Sequence, residues 1–181
     1  ILSGLVGSEM CIRDSSSKII VPKTGTAQEL DFLSDAVVET MRVKTPIEEL
    51  NRVLGGGLVS GSAILIGGDP GIGKSTLLLQ LCSRLAQHDV YCLYITGEES
   101  TNQIKLRAKR VGITNNKTGL LAATNVEDII STIDKHKDKL DLVVIDSIQT
   151  VATTELSSAP GTVSQIRASA HLLINYAKQN N

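Results

Sequence analysis

The chain has 181 residues, with 18 Lys+Arg against 19 Asp+Glu, 41% hydrophobic residues and 2% aromatic ones. That length supports one domain with a buried core, and the near-balanced charge excludes a strongly basic nucleic-acid coat, so any polyanion must be held by a local patch. No apolar run approaches the 18 or so residues that span a bilayer, and the scarcity of aromatics excludes a stacking platform for single strands or sugars.

Cys11, Cys82 and Cys92 are scattered and lack the paired spacing of a zinc site. They suit a reducing compartment without a disulfide framework, and the expected location is cytoplasmic.

Residues 1–17 have no helical or strand period and end in a serine run, so they read as a disordered or non-native leader. The string GLVGSEMCIRDS resembles translated sequencing-adapter read-through at the end of an assembled fragment. Residues 18–41 read as a linker and 42–181 as one core. That core is expected to be cut at its C-terminal side, because 172–181 keeps a helical pattern with no cap or closing Gly or Pro.

Within the core, Thr45-Pro46-Ile47-Glu48 has the form of a capping box that opens a helix to about Leu54, stopped by Gly55-Gly56-Gly57. Residues 62–66 (SAILI) read as a buried strand and 74–88 as a helix whose Leu77, Leu78, Leu81 and Leu85 face the core. A strand over 90–96, a helix over 101–111 and a short strand over 119–123 follow. Asn125 caps a helix to about Lys139, residues 142–145 (LVVI) form another buried strand, and a loop over 150–161 leads to a helix over 162–178. Apolar strands separated by helices predict an α/β fold, a mostly parallel sheet covered on both faces, with functional groups at the C-terminal strand ends.

Gly68-Asp69-Pro70-Gly71-Ile72-Gly73-Lys74-Ser75 matches the phosphate-binding pattern G-x-x-x-x-G-K-[ST] in full, followed by Thr76. At average residue usage, such a match arises by chance in a chain of this length about once in a hundred. Its place between an apolar run and a helix start is what the chemistry needs. Glycines let successive amides line a concave nest, and the helix adds free N–H groups and the positive end of its dipole. Lys74 would reach the β- and γ-phosphates, and Ser75 would offer its hydroxyl to Mg²⁺.

Asp146 closes the apolar run LVVI as a Walker B carboxylate for the same metal; the alternative is an acid that merely ends a strand. Ser147 stands where many such ATPases carry a catalytic Glu. The water-activating base is therefore assigned to Glu98, with Glu99 as a supporting or magnesium-side carboxylate, against the alternative that both only favour the next helix start. Lys105, Arg107, Lys109 and Arg110 form a basic helix that reads first as a solvated face, and His88, His136 and His171 as surface residues.

The stretches LNRVLGGGLVSGSAILIGGDPGIGKSTLLLQ, YITGEES, VVIDSIQT and SSAPGTVSQIR follow one another along the chain. In sequence and in order these four resemble the ATPase core of the RadA (Sms) family, bacterial RecA-like proteins of DNA repair and recombination. The resemblance implies a RecA-like P-loop ATP hydrolase using ATP and Mg²⁺. It further implies a hexameric ring in the whole protein, acting with RecA on single-stranded or branched DNA to promote strand exchange or branch migration. Family roles fall on Lys74, Ser75, Asp146 and Glu98, and the stretch with Ser157, Ser158, Gly161, Gln165 and Arg167 would contact DNA. On residue chemistry alone that stretch is also a plain connection before a helix. The family's zinc module, KNRFG motif and Lon-like domain have no counterpart in these residues. Alternatives are another RecA-like ATPase (DnaB-type or KaiC-like), a P-loop small-molecule kinase, or a module that binds ATP without turning it over.

Overall fold

The computed structural model describes residues 32, 42–113 and 117–180. The chain divides into two units, Ile1–Val38 and Glu39–Asn181, and every element below lies in the second. The leader and linker read from the sequence fall outside the described residues, Phe32 excepted.

A two-stranded antiparallel ribbon of β1 (Arg42–Val43) and β2 (Leu58–Val59) brackets helix α1 (Glu48–Val53). Gly57 makes this closure possible: its φ is +140°, and a Cβ there would lie 2.6 Å from the Val43 carbonyl oxygen. The expected Thr45 cap is corrected. The helix begins two residues later, after Ile47, because the Asn51 amide takes both main-chain groups of Thr45, accepting from its N–H at 2.8 Å and donating to its carbonyl at 2.7 Å.

The main sheet is parallel throughout, in the order β4 (Thr118–Ala122), β3 (Cys92–Thr96), β5 (Leu142–Asp146). All five residues of β3 are buried, as a central strand covered on both faces requires. Its alternation divides the core. Cys92 and Tyr94 join Leu79, Leu81, Cys82 and Leu85 of α2 (Lys74–Ala86), Ile104 of α3 (Thr101–Arg110) and Val144. Leu93 and Ile95 face the other way, meeting Val126, Ile129 and Ile133 of α4 (Val126–His136), with Leu172, Leu173 and Tyr176 of α5 (Val163–Gln179) packed alongside. The chain therefore has the α/β, RecA-like P-loop architecture expected of it.

Two expectations about this layer are corrected. Residues 62–66 do not form a strand: Leu65 is 86% and Ile64 44% exposed. The ladders of the main sheet join only β4, β3 and β5, and residues 62–66 pair with none of them. On α2, Leu77 is partly exposed while Leu79 is buried, because the stripe facing the sheet is rotated toward Leu79, Cys82 and Ala86. Cys82 and Cys92 are free, buried thiols, and the Cys82 thiol is pushed up by its hydrogen bond to Cys92 and by burial.

Gly97, just after β3, is fixed by close approach: an added Cβ would sit 1.9 Å from Thr150 Oγ1 and 2.6 Å from Thr150 Cβ. Gly97→Ala is expected to lower stability by about 1–3 kcal/mol through this overpacking. Chemical unfolding of the single variant and of Gly97→Ala/Thr150→Gly checks it, the second change restoring most of the loss.

Candidate functional site

The glycine loop at residues 68–75 leads into α2 through Gly73, whose φ of +101° only glycine adopts easily. Gly71 has φ +77°, and a Cβ at either position would point into open space, so the loop keeps its main chain bare on that side. The Lys74 ammonium curls back to donate to the carbonyls of Gly68 at 2.7 Å and Asp69 at 2.8 Å. Asp69, Pro70, Ile72 and the loop glycines 68, 71 and 73 are exposed, and Lys74, Ser75 and Thr76 are half-buried at the helix start.

That start differs from those of the other described α-helices: α1 also lacks a side-chain cap but carries Glu48 and Glu49 in its first turn. No side chain caps α2, and its first turn carries no acid. By contrast Ser100 caps α3 in a reciprocal box with Gln103, Asn125 caps α4 and Thr162 caps α5. The free amides and the dipole's positive end are thus left for an external anion, and a triphosphate fits this donor set.

In the β3–β5 register Thr96 pairs with Asp146, which brings the ends of both strands to one edge. The Gly97 N–H donates to the Asp146 carbonyl at 3.2 Å, and Ser147 Oγ donates to Glu98 Oε1 at 3.2 Å. Exposed Glu98 therefore stands beside the Asp146 strand end, two residues past the end of the neighbouring strand β3. Glu99 turns aside: Thr96 Oγ1 accepts from its N–H, and its carboxylate pairs with Arg107 at 2.8 Å. Arg107 thereby leaves the solvated basic face, on which Lys105, Lys109 and Arg110 stay exposed.

Sequence reasoning missed Tyr94. Its hydroxyl donates to Asp146 Oδ2 at 2.5 Å and lies 3.5 Å from the Ser75 carbonyl, joining the strand end to the glycine-loop helix. Burial, then the hydrogen bond and charge of Asp146, hold the phenol protonated well above its ordinary range. The available signal was a tyrosine in the middle of a run read as a buried strand, since a buried phenol requires a polar partner.

The stretch after β5 is tightly braced. A single 3-10 turn (Ile148–Thr150) follows the strand, and Ala152 bridges to Asn125. Gln165 is 2% exposed, and its amide donates to the carbonyls of Thr153, Leu156 and Ser158 while accepting from the Thr153 N–H at 3.0 Å. The structure thus separates the five residues proposed for DNA. Ser157, Gly161 and Arg167 are exposed, Ser158 is half-buried with its hydroxyl bonded to Ser164, and Gln165 is spent inside as the clamp. Glu127 braces the same stretch, accepting from Thr153 Oγ1 at 2.6 Å and from the Thr154 N–H and Oγ1 at 3.0 Å each.

Fold and loop together define a P-loop α/β nucleotide-binding domain. Residues 26–173 match the family model described as AAA domain, and the chain belongs to that family. It is 66% identical over 167 residues to the DNA repair protein RadA of Rickettsia felis, an alignment covering 92% of this chain and 37% of that protein. With the protein of the same name from Brucella abortus the identity is 47% over 176 residues, 96% of this chain and 38% of the relative. With that from Bacillus subtilis it is 53% over 140 residues, 77% and 30%. The chain thus spans only 30% to 38% of the length of these relatives, and the resemblance read from its four motifs is borne out. Among the described residues, no helix is long and apolar enough to cross a membrane.

The Glu127 carboxyl is held down at about 2, first by the Thr153 hydroxyl and also by the Thr154 N–H and hydroxyl. A carboxylate lowered in the folded state lends stability that is complete above its ordinary value of 4.5 and fades as pH falls toward 2. Urea midpoints of the native chain and of Glu127→Gln are therefore expected to differ most above pH 5, about, and to converge near pH 2, about.

Proposed function

We propose that this chain is the ATP-hydrolysing core of a DNA repair protein, coupling ATP turnover to work on single-stranded or branched DNA. The observation that carries the reading is the meeting, at one edge of the sheet, of the uncapped glycine-loop helix, the Asp146 carboxylate and Glu98. The likeness to proteins named for DNA repair supports the biological side of it.

In this reading, Lys74 exchanges its loop carbonyls for phosphate oxygens, and the amides from Gly71 to Thr76 surround the rest of the phosphate tail. Ser75 and Asp146 would hold Mg²⁺, which neutralises phosphate charge and orients the terminal group when bound. Glu98 takes a proton from the attacking water, and the Ser147 hydroxyl holds the carboxylate toward that side. A motor needs such a water-orienting acid, whereas a kinase passes its phosphoryl group to a substrate and must keep water out.

The exposed Ser157, Gly161 and Arg167 are offered as the DNA-facing edge, with Ser158 beside them and Gln165 bracing them from within. Assembly into a hexameric ring and cooperation with RecA belong to the same proposal at the level of the whole protein.

Lys74→Ala is expected to abolish binding of a fluorescent ATP analogue. Glu98→Gln should bind it normally while ATP turnover falls by about 10²–10⁴-fold, the usual worth of a positioned base. Normal phosphate release by Glu98→Gln would falsify the assignment of the base. In the full-length parent, DNA affinity should fall linearly on a log–log salt plot, and Arg167→Ala should lower the slope by about one phosphate contact.

A further inference from the structure

Among the described residues, Tyr94 has the largest side chain that is wholly buried, at 0% exposure. Its ring packs with Leu79, Leu81, Cys82 and Leu85 of α2, a task phenylalanine would perform equally well. The hydroxyl is therefore the part to explain, since a polar group in a core costs free energy unless it is paired.

A phenol has one proton to give, and here it goes to Asp146 Oδ2. The oxygen receives in turn: Arg107 Nη2 donates to it at 3.4 Å, and Arg107 Nη1 donates to Glu99 Oε1 at 2.8 Å. Glu99, Arg107, Tyr94 and Asp146 thus form one line of hydrogen bonds from the loop after β3 to the end of β5. The phenol occupies Oδ2 and leaves Oδ1 for other partners. It also passes within 3.5 Å of the Ser75 carbonyl, so the same group touches both residues that the proposed function gives to the metal.

We propose that Tyr94 is a positioning residue that fixes the orientation of the Asp146 carboxylate for Mg²⁺, with Arg107 and Glu99 holding the phenol in place. This rests on the nucleotide reading above. The role goes beyond packing, because the ring fills the core and the hydroxyl aims the carboxylate. Glu99 serves that line in place of a direct part on the metal side.

The test is equilibrium binding of a fluorescent ATP analogue to the 181-residue chain, in EDTA and across a Mg²⁺ titration. Tyr94→Phe should leave the affinity in EDTA within about twofold of the native chain and reduce the gain on adding Mg²⁺ by about tenfold, the worth of one hydrogen bond to a charged group. Tyr94→Phe should add nothing further when Asp146 is already Asn, since the two then act through one carboxylate. Arg107→Gln, which keeps the phenol and the packing, should lose about threefold of the same Mg²⁺ gain, and it carries the test if Tyr94→Phe does not fold.

A full Mg²⁺ gain in both single variants overturns the proposal. So does an equal loss in EDTA and in Mg²⁺, which is the mark of a merely structural role. Failure of the underlying reading looks different: Lys74→Ala would then bind the analogue as well as the native chain, whatever happens at Tyr94.

Discussion

The register between β3 and β5 is the constraint on which the site depends. Side chains on a strand alternate, so Tyr94 and Val144 share the face that meets α2, and Asp146, two residues past Val144, shares it too. Asp146 therefore points toward the helix that starts at Lys74. A slip of one residue would carry the carboxylate to the face covered by α4 and α5, away from the glycine loop. What fixes the register is burial on both faces: a one-residue shift of β5 would carry Val144 off the face of α2 and Val143 and Ile145 off the face of α4 and α5.

The same edge is continued by contacts of unusual closeness. Gly97 has no side chain because Thr150 occupies the space, and Thr150 Oγ1 in turn donates to the Ser147 carbonyl at 2.8 Å. The loop bearing Glu98 and the turn following Asp146 are thereby packed as one piece. From that turn the chain runs directly into the stretch braced by Asn125, Glu127 and Gln165. The nucleotide side and the exposed Ser157–Gly161 side are thus successive parts of one hydrogen-bonded segment, with little slack between them.

Most of this was legible as pattern. Asn125 announces its helix because an oxygen one position before a helix satisfies an otherwise free amide, and it does so, while Thr162, read as the first helical residue, is the cap of α5. The central strand and its neighbours follow from apolar runs of the right length. Residues 62–66 have the same composition and no strand, because composition records what a segment can bury and not whether a partner is present to pair with it. Thr45 failed as a cap for a related reason: Asn51, six residues on, competes for the same backbone groups. Tyr94, Arg107 and Gln165 illustrate the remaining limit. Their roles are set by which distant groups the fold delivers to them, and neither helical nor strand periodicity encodes that.

The contrast among helix starts is where local rule and function part. α3, α4 and α5 each spend a Ser, Asn or Thr side chain on their first free amides, worth about 1 kcal/mol apiece. α2 forgoes that stabilisation and presents Gly73 in a left-handed conformation. Its cost is offset by a length of 13 residues and by five buried apolar side chains that anchor it to the sheet. Packing along the body of α2 is what lets its first turn remain without a cap. The apolar stripe from Leu79 to Ala86 that anchors α2 is thus as much a part of the proposed phosphate site as the glycines before it.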